Sequence, residues 1–140
     1  MLRQMSEAEA AEVLRRNRVA RLGCVVGGYP YVVPVGYLYD GRSAYSHSLP
    51  GQKIAALRAD PRACLQVDEI EGDWDWRSVL AFGDYQEIAG EEERAHVLNG
   101  LLASFPRLTP VESVISQGSD TPRVIVYRIR IRGISGVVEK

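Results

Sequence analysis

Two dipeptides, Gly27-Gly28 and Asp40-Gly41, punctuate a stretch dense in β-branched and aromatic residues, and no other feature limits the fold of this chain as strongly. Residues 18–26 (RVARLGCVV) and 29–39 (YPYVVPVGYLY) flank the first dipeptide, and the second leads into the short run Ser43–Ser48. Such dipeptides supply the positive φ angles of two-residue hairpin turns, so the pattern predicts three strands in an antiparallel meander. Pro34 lies inside the second strand. Proline cannot donate to a ladder, which places that strand at a sheet edge or a bulge, where a ligand can approach the backbone.

The flanking segments change period. Residues 6–16 read as an amphipathic helix: Ser6 with Glu9 forms the S-x-x-E capping box, and Ala10, Val13 and Leu14 recur at helical spacing. After Pro50-Gly51, residues 52–59 read as a helix of about two turns with Ile54 and Leu57 inward, stopped by Asp60-Pro61. Residues 63–70 and 76–88 are two further strands around a polar connection at 71–75. Residues 90–104 are a helix with Glu91, Glu92 and Glu93 at its positive end and an apolar stripe of Leu98, Leu101, Leu102 and Phe105. The three prolines of 106–122 mark an irregular loop. The last strand, 123–132, alternates Val124, Val126, Arg128, Arg130 and Arg132 against Ile125, Tyr127, Ile129 and Ile131. About six strands, mostly joined by hairpins, with a few short helices, predict an α+β protein built on a small antiparallel β-barrel.

Composition narrows the functional classes. A chain of 140 residues with 46% hydrophobic and 25% charged residues has globular proportions, and it reads as a single domain over 1–140. Seventeen basic against eighteen acidic residues give a net charge of -1, which argues against a nucleic-acid binder. Two cysteines, Cys24 and Cys64, suit a reducing compartment, and no apolar run suggests a signal peptide or membrane span. The expectation is a soluble cytoplasmic protein.

Two clusters carry possible chemistry. Ser46-His47-Ser48 ends a strand that runs through Pro50-Gly51 into a helix with Lys53 in its first turn. Hydroxyls, free N–H groups, a favourable dipole and an ammonium suit a phosphate dianion, although ordinary helix caps use the same residue types. Trp74-Asp75-Trp76-Arg77-Ser78 opens a later strand, where Arg77 can stack or donate paired hydrogen bonds; a tryptophan covering a barrel end beside a solvated arginine is the alternative. His47 can hold a proton, but no His/Cys/Asp company gives it metal-ligand spacing, so no metal is expected. His96 falls on a polar helix face. Cys24 reads as a core residue, the burial of Cys64 is open, and Arg128, Arg130 and Arg132 are expected to pair with Asp68, Glu69 and Glu71.

Taken in order, PYVVPV, the YSHS-x-PG-x-K turn, ALRADPRACLQVDE and WRSVLAFG resemble the flavin mononucleotide-binding split-barrel proteins related to pyridoxamine 5'-phosphate oxidase, most closely the short Nim-type (nitroimidazole-resistance) branch. The resemblance implies a six-stranded split barrel that forms a homodimer with FMN in grooves between the subunits. It implies main-chain contacts around Pro34 and Val35 with the ring, a phosphate turn of Ser46, Ser48 and Lys53, and His47 beside the cofactor as the catalytic candidate. It further implies Trp76, Arg77 and Ser78 as the strand the other subunit brings to the flavin. The activity implied is a flavin-dependent reductase or oxidase acting on a small molecule, with NAD(P)H as a transiently docked reductant. A heme- or flavin-binding carrier or sensor is the alternative on the same barrel, and a deazaflavin cofactor is a third. The chain lacks the arginine-rich phosphate signature and the Trp-and-Arg ending of true pyridoxamine phosphate oxidases, which speaks against that substrate.

Overall fold

The computed structural model describes residues 1–105 and 123–140; the loop expected at 106–122 lies outside them. In chain order the elements are β1 (Leu2–Gln4), α1 (Glu7–Arg16), β2 (Val19–Val26), β3 (Tyr29–Gly36), β4 (Leu38–Tyr39), β5 (Ser43–Ser48), α2 (Gln52–Ala59), β6 (Arg62–Gly72), β7 (Asp75–Glu87), α3 (Glu91–Ser104) and β8 (Ile125–Glu139). The strands make one antiparallel sheet in the order β3-β2-β6-β7-β8-β5-β4, with β1 added to the far end of β8. β1 and β4 are only three and two residues long, so the remaining strands are the six anticipated.

Local chemistry accounts for most of these elements. Gly27 and Gly28 both take positive φ, 56° and 83°, which is what the β2–β3 hairpin demands of its two turn residues. Ser6 and Glu9 complete the capping box of α1, and Ala10, Val13 and Leu14 are buried beneath it. On β2, Ala20, Leu22 and Cys24 point inward; on β6, Ala63, Leu65 and Val67 do the same, joining Val79 and Ala81 of β7 in one core. The period-2 alternation of these strands fixes which face is wet.

Three expectations are corrected by long-range contacts. The strand drawn over 29–39 breaks at Tyr37, where the chain leaves one edge of the sheet and starts the other. Tyr37 is fully buried there, its N–H donating to the Arg18 carbonyl and its hydroxyl to the Leu14 carbonyl at 2.5 Å. The connection at 71–75 shrinks to the turn Asp73-Trp74, because β6 and β7 stay paired to Gly72 and Asp75. The last strand runs on from 132 to Glu139, carried by pairing with β7 past a bulge between Phe82 and Gly83. At Gly83 a Cβ would lie 2.1 Å from the Arg130 carbonyl oxygen, so only glycine fits where the strands close in. The acidic partners of the β8 arginines also differ: Arg132 pairs with Asp84 and Arg128 with Glu93, whereas Asp68 and Glu69 hold Arg21 and Arg16.

Candidate functional site

The two clusters singled out in the sequence occupy different parts of the barrel. β3 is the edge strand, and Pro34 is exposed on it, so the missing N–H costs no ladder bond. Val35 turns its side chain into the core and pairs with Ala20, so the outward main-chain group at the edge is the Pro34 carbonyl. Across the split, β5 approaches β3 without sharing a ladder, and Ser46 bridges the gap: its buried hydroxyl donates to the Gly36 carbonyl at 2.6 Å. That proton is therefore engaged in holding the slot. Ser48 donates to the adjacent Leu49 carbonyl at 2.8 Å, a local bond that a side-chain rotation releases. His47, half-buried, lies between them on β5 opposite Val126.

Immediately beyond, Gly51 begins α2 and offers no side chain to cap it, so the first N–H groups of the helix have no side-chain acceptor. Lys53 sits in that first turn. It is half-buried and, among the described residues, makes no ion pair; burial lowers its pKa from the ordinary lysine value, opposed by the neighbouring Cys24 thiol. A half-buried ammonium without a counter-ion beside uncapped N–H groups is a site that favours an anion. Beneath it, Tyr127 faces Ser46 across the ladder, and burial pushes its phenol up to about 12, so it stays protonated. The sequence offered no signal for Tyr127 beyond its place in an alternating strand.

Trp76, Arg77 and Ser78 line a different cavity, of about 410 Å³, on the β6–β7 hairpin with Gln66, Asp68 and Ile70. Gln66 donates to Ser78 and to Asp68, both at 3.1 Å, and Arg77 lies 3.7 Å from Asp75. Within one chain these residues are far from Lys53. Ser46 pairs with Tyr127 and Ser78 with Val137, ten residues further along β8. That is about 33 Å of extended strand. Within one copy the Arg77–Ser78 cavity does not adjoin the Ser46–Lys53 turn, although Gln66 in its lining stands in the same cross-strand row as Pro34.

The outer sheet face carries an apolar row beside a mixed one. Val32, Gly23, Cys64, Phe82 and Gly133 form one cross-strand row, and Pro34, Arg21, Gln66, Leu80 and Ser135 form the next. Val32 is 64% and Phe82 52% exposed, and a groove of about 380 Å³ runs between them over Cys64. The open question about Cys64 is thereby answered: it is half-buried on this outer face, while Cys24 is in the core. His96 is exposed on α3, as read.

An antiparallel split barrel with an anion-ready turn beside an open edge strand defines the class. A family model described as pyridoxamine 5'-phosphate oxidase matches residues 6–138, and the chain belongs to that family. An uncharacterized protein of Rhizobium meliloti is 36% identical over 128 residues, 84% of each chain. A crystal structure of an FAD-binding protein from Mesorhizobium loti superposes with a TM-score of 0.80 at 32% identity, covering 100% of this chain and 99% of that one. A Bacteroides thetaiotaomicron protein assigned to 5-nitroimidazole antibiotic resistance shares the fold, with a TM-score of 0.74 at 18% identity over 99% of this chain and 89% of its own. Among the described residues no helix is long and apolar enough to cross a membrane, and no cluster of His, Cys, Asp and Glu could hold a metal ion.

Proposed function

We propose that this chain binds FMN and works as a flavin-dependent oxidoreductase on a small molecule, as a homodimer. The observation that carries the reading is Lys53: a half-buried ammonium with no ion pair among the described residues, at an uncapped helix start, next to an open edge strand. In this reading Lys53, the α2 N–H groups and Ser48 hold the phosphate. The main chain at Pro34 and Val35 lies along the ring, and Ser46 sets the width of the slot through Gly36. A bound flavin supplies hydride and one-electron chemistry, while the protein orients it and tunes it. His47 is the candidate to hold a proton beside the ring.

The second copy follows from the separation of Arg77 and Ser78 from the turn. A partner docked on the Val32–Phe82 face would cover apolar surface and carry its own Trp76, Arg77 and Ser78 toward the edge strand. Arg77 then places a fixed positive charge near the flavin, which favours the reduced anionic ring. NAD(P)H is proposed as a transient reductant. The family membership and the FAD-binding relative support flavin as the cofactor class.

The test is the visible spectrum of the purified protein, with mass identification of the chromophore released on denaturation. A flavin spectrum, with FMN released in near one-to-one ratio to the chain, is the expected result. A Soret band, or no chromophore together with no uptake of added flavin, would overturn the reading.

A further inference from the structure

A group of arginines at one end of the barrel has no part in the site described above. Arg58 on α2, Arg94 on α3 and Arg123 just ahead of β8 line a cavity of about 300 Å³ together with Glu87, Ile125 and Val126. That volume lies at the lower end of the range of small-molecule sites, about 300–1,000 Å³. Glu87 fixes the Arg58 guanidinium, and Glu91 holds Arg123 at the rim. Arg94 differs. It is half-buried, donates to the Val124 carbonyl, and among the described residues has no carboxylate partner. A guanidinium carries five N–H donors in a rigid fork, so one backbone bond anchors Arg94 and leaves most of its donors for an anion. Ile125 and Val126 are the cross-strand partners of Ser48 and His47. The cavity therefore begins about 5 Å, one strand spacing, from the turn assigned to the flavin phosphate.

We infer that this cavity receives a second phosphoryl group, belonging to a dinucleotide. Three guanidinium forks, one without a counter-ion, match phosphate oxygens better than a carboxylate or a neutral ligand, and the space admits part of a nucleoside as well. Two sources carry this chemistry: the adenylate half of a dinucleotide flavin, and the 2'-phosphate of a nicotinamide dinucleotide. The first rests on the flavin reading; the second requires only that the reductant docks here.

The experiment compares the full-length chain with Arg94→Gln and, at an exposed position that is safe for folding, Arg123→Gln. FMN, FAD, NADPH and NADH are titrated against each. If the cofactor supplies the group, wild type takes up FAD as well as FMN, and Arg94→Gln weakens FAD roughly ten-fold or more while FMN is unchanged. If the reductant supplies it, wild type prefers NADPH to NADH and Arg94→Gln abolishes the preference. Arg123→Gln should move the same titration by a smaller factor, and it decides the matter alone if Arg94→Gln fails to fold. Unchanged FAD and NADPH binding in the folded variants overturns the inference. Failure of the flavin reading is a separate result, no FMN or FAD binding by wild type, in which case the NADPH and NADH titrations still decide the cavity.

Discussion

Replacing Lys53 with methionine should move ligand binding and stability in opposite directions. Methionine keeps most of the side-chain volume and removes the charge. If the ammonium holds the flavin phosphate, it contributes a charge-assisted hydrogen bond of about 1.5–3 kcal/mol. FMN should then bind roughly ten- to hundred-fold more weakly. Riboflavin has the same ring and no phosphate, so its affinity should stay within about two-fold on the same argument. The protein without ligand should gain, because a half-buried cation with no ion pair among the described residues has been removed. A gain of about 0.5–1 kcal/mol is the scale of such charge optimisations.

The pH dependence sharpens this. Burial lowers the Lys53 pKa in the folded state, so the unfolded chain binds the extra proton between that value and the ordinary lysine value near ~10.4. Below that window both states are protonated and the whole burial penalty stands. As pH rises through it, wild type should become more stable, and the methionine variant should lack that increment. The assays are fluorescence titration with FMN and riboflavin, and urea denaturation of the ligand-free protein from neutral pH upward. Equal losses of FMN and riboflavin affinity, or a less stable ligand-free variant, would refute the reasoning.

Three further outcomes follow from other parts of the barrel. Phe82→Asp puts a carboxylate on the exposed face beside Cys64, and should convert the proposed dimer to monomer with loss of flavin, as read by analytical ultracentrifugation and absorbance; a variant that stays dimeric removes this face from the interface. Gly83→Ala forces a Cβ to within 2.1 Å of the Arg130 carbonyl oxygen and should cost about 3 kcal/mol or more in urea denaturation, since backbone on both sides must move; a loss below about 1 kcal/mol would mean that the bulge adapts. Glu69 is held down to about 2 chiefly by its hydrogen bond with Arg16, so the stability it provides is complete above the ordinary carboxylate range near ~4.3 and drains away as pH falls toward about 2. Glu69→Gln should flatten the fall in urea midpoint over that window, and an unchanged slope would assign it to other carboxylates.

The parts of this molecule legible in the sequence are those whose chemistry lies within a few residues. The capping box of α1, the double-glycine turn and the inward faces of β2 and β6 all follow from neighbours in the chain. The turn from Ser46 to Lys53 was legible for the same reason, since strand end, helix start and lysine are contiguous. β1 escaped because three residues carry no period of their own and pair only with the end of β8. The stop assigned at residue 132 failed because the apolar–charged alternation ends there while the pairing with β7 continues, and Gly136 fits where Met5 and Val79 leave no room for a Cβ. Ser46 illustrates the limit within the candidate site itself: its residue type fits a phosphate ligand, but its burial against Gly36 is decided by the closing of the split.

By itself the sequence determined the alternation, the Gly27-Gly28 turn and the α1 cap, and hence an antiparallel barrel with an anion-ready turn, whereas Asp40-Gly41 opens a longer connection in which only Gly41 takes positive φ. These depend on backbone dihedral preferences and on which side of a strand or helix a residue faces, and both act over one or two turns of chain. Only the tertiary structure decided that Arg77 and Ser78 lie some ten residues of strand away from that turn, that Val32 and Phe82 share an uncovered face, and that Arg58, Arg94 and Arg123 converge on one cavity. Those juxtapositions join residues tens of positions apart, and they exist only once β8 has paired with β7 on one side and β5 on the other.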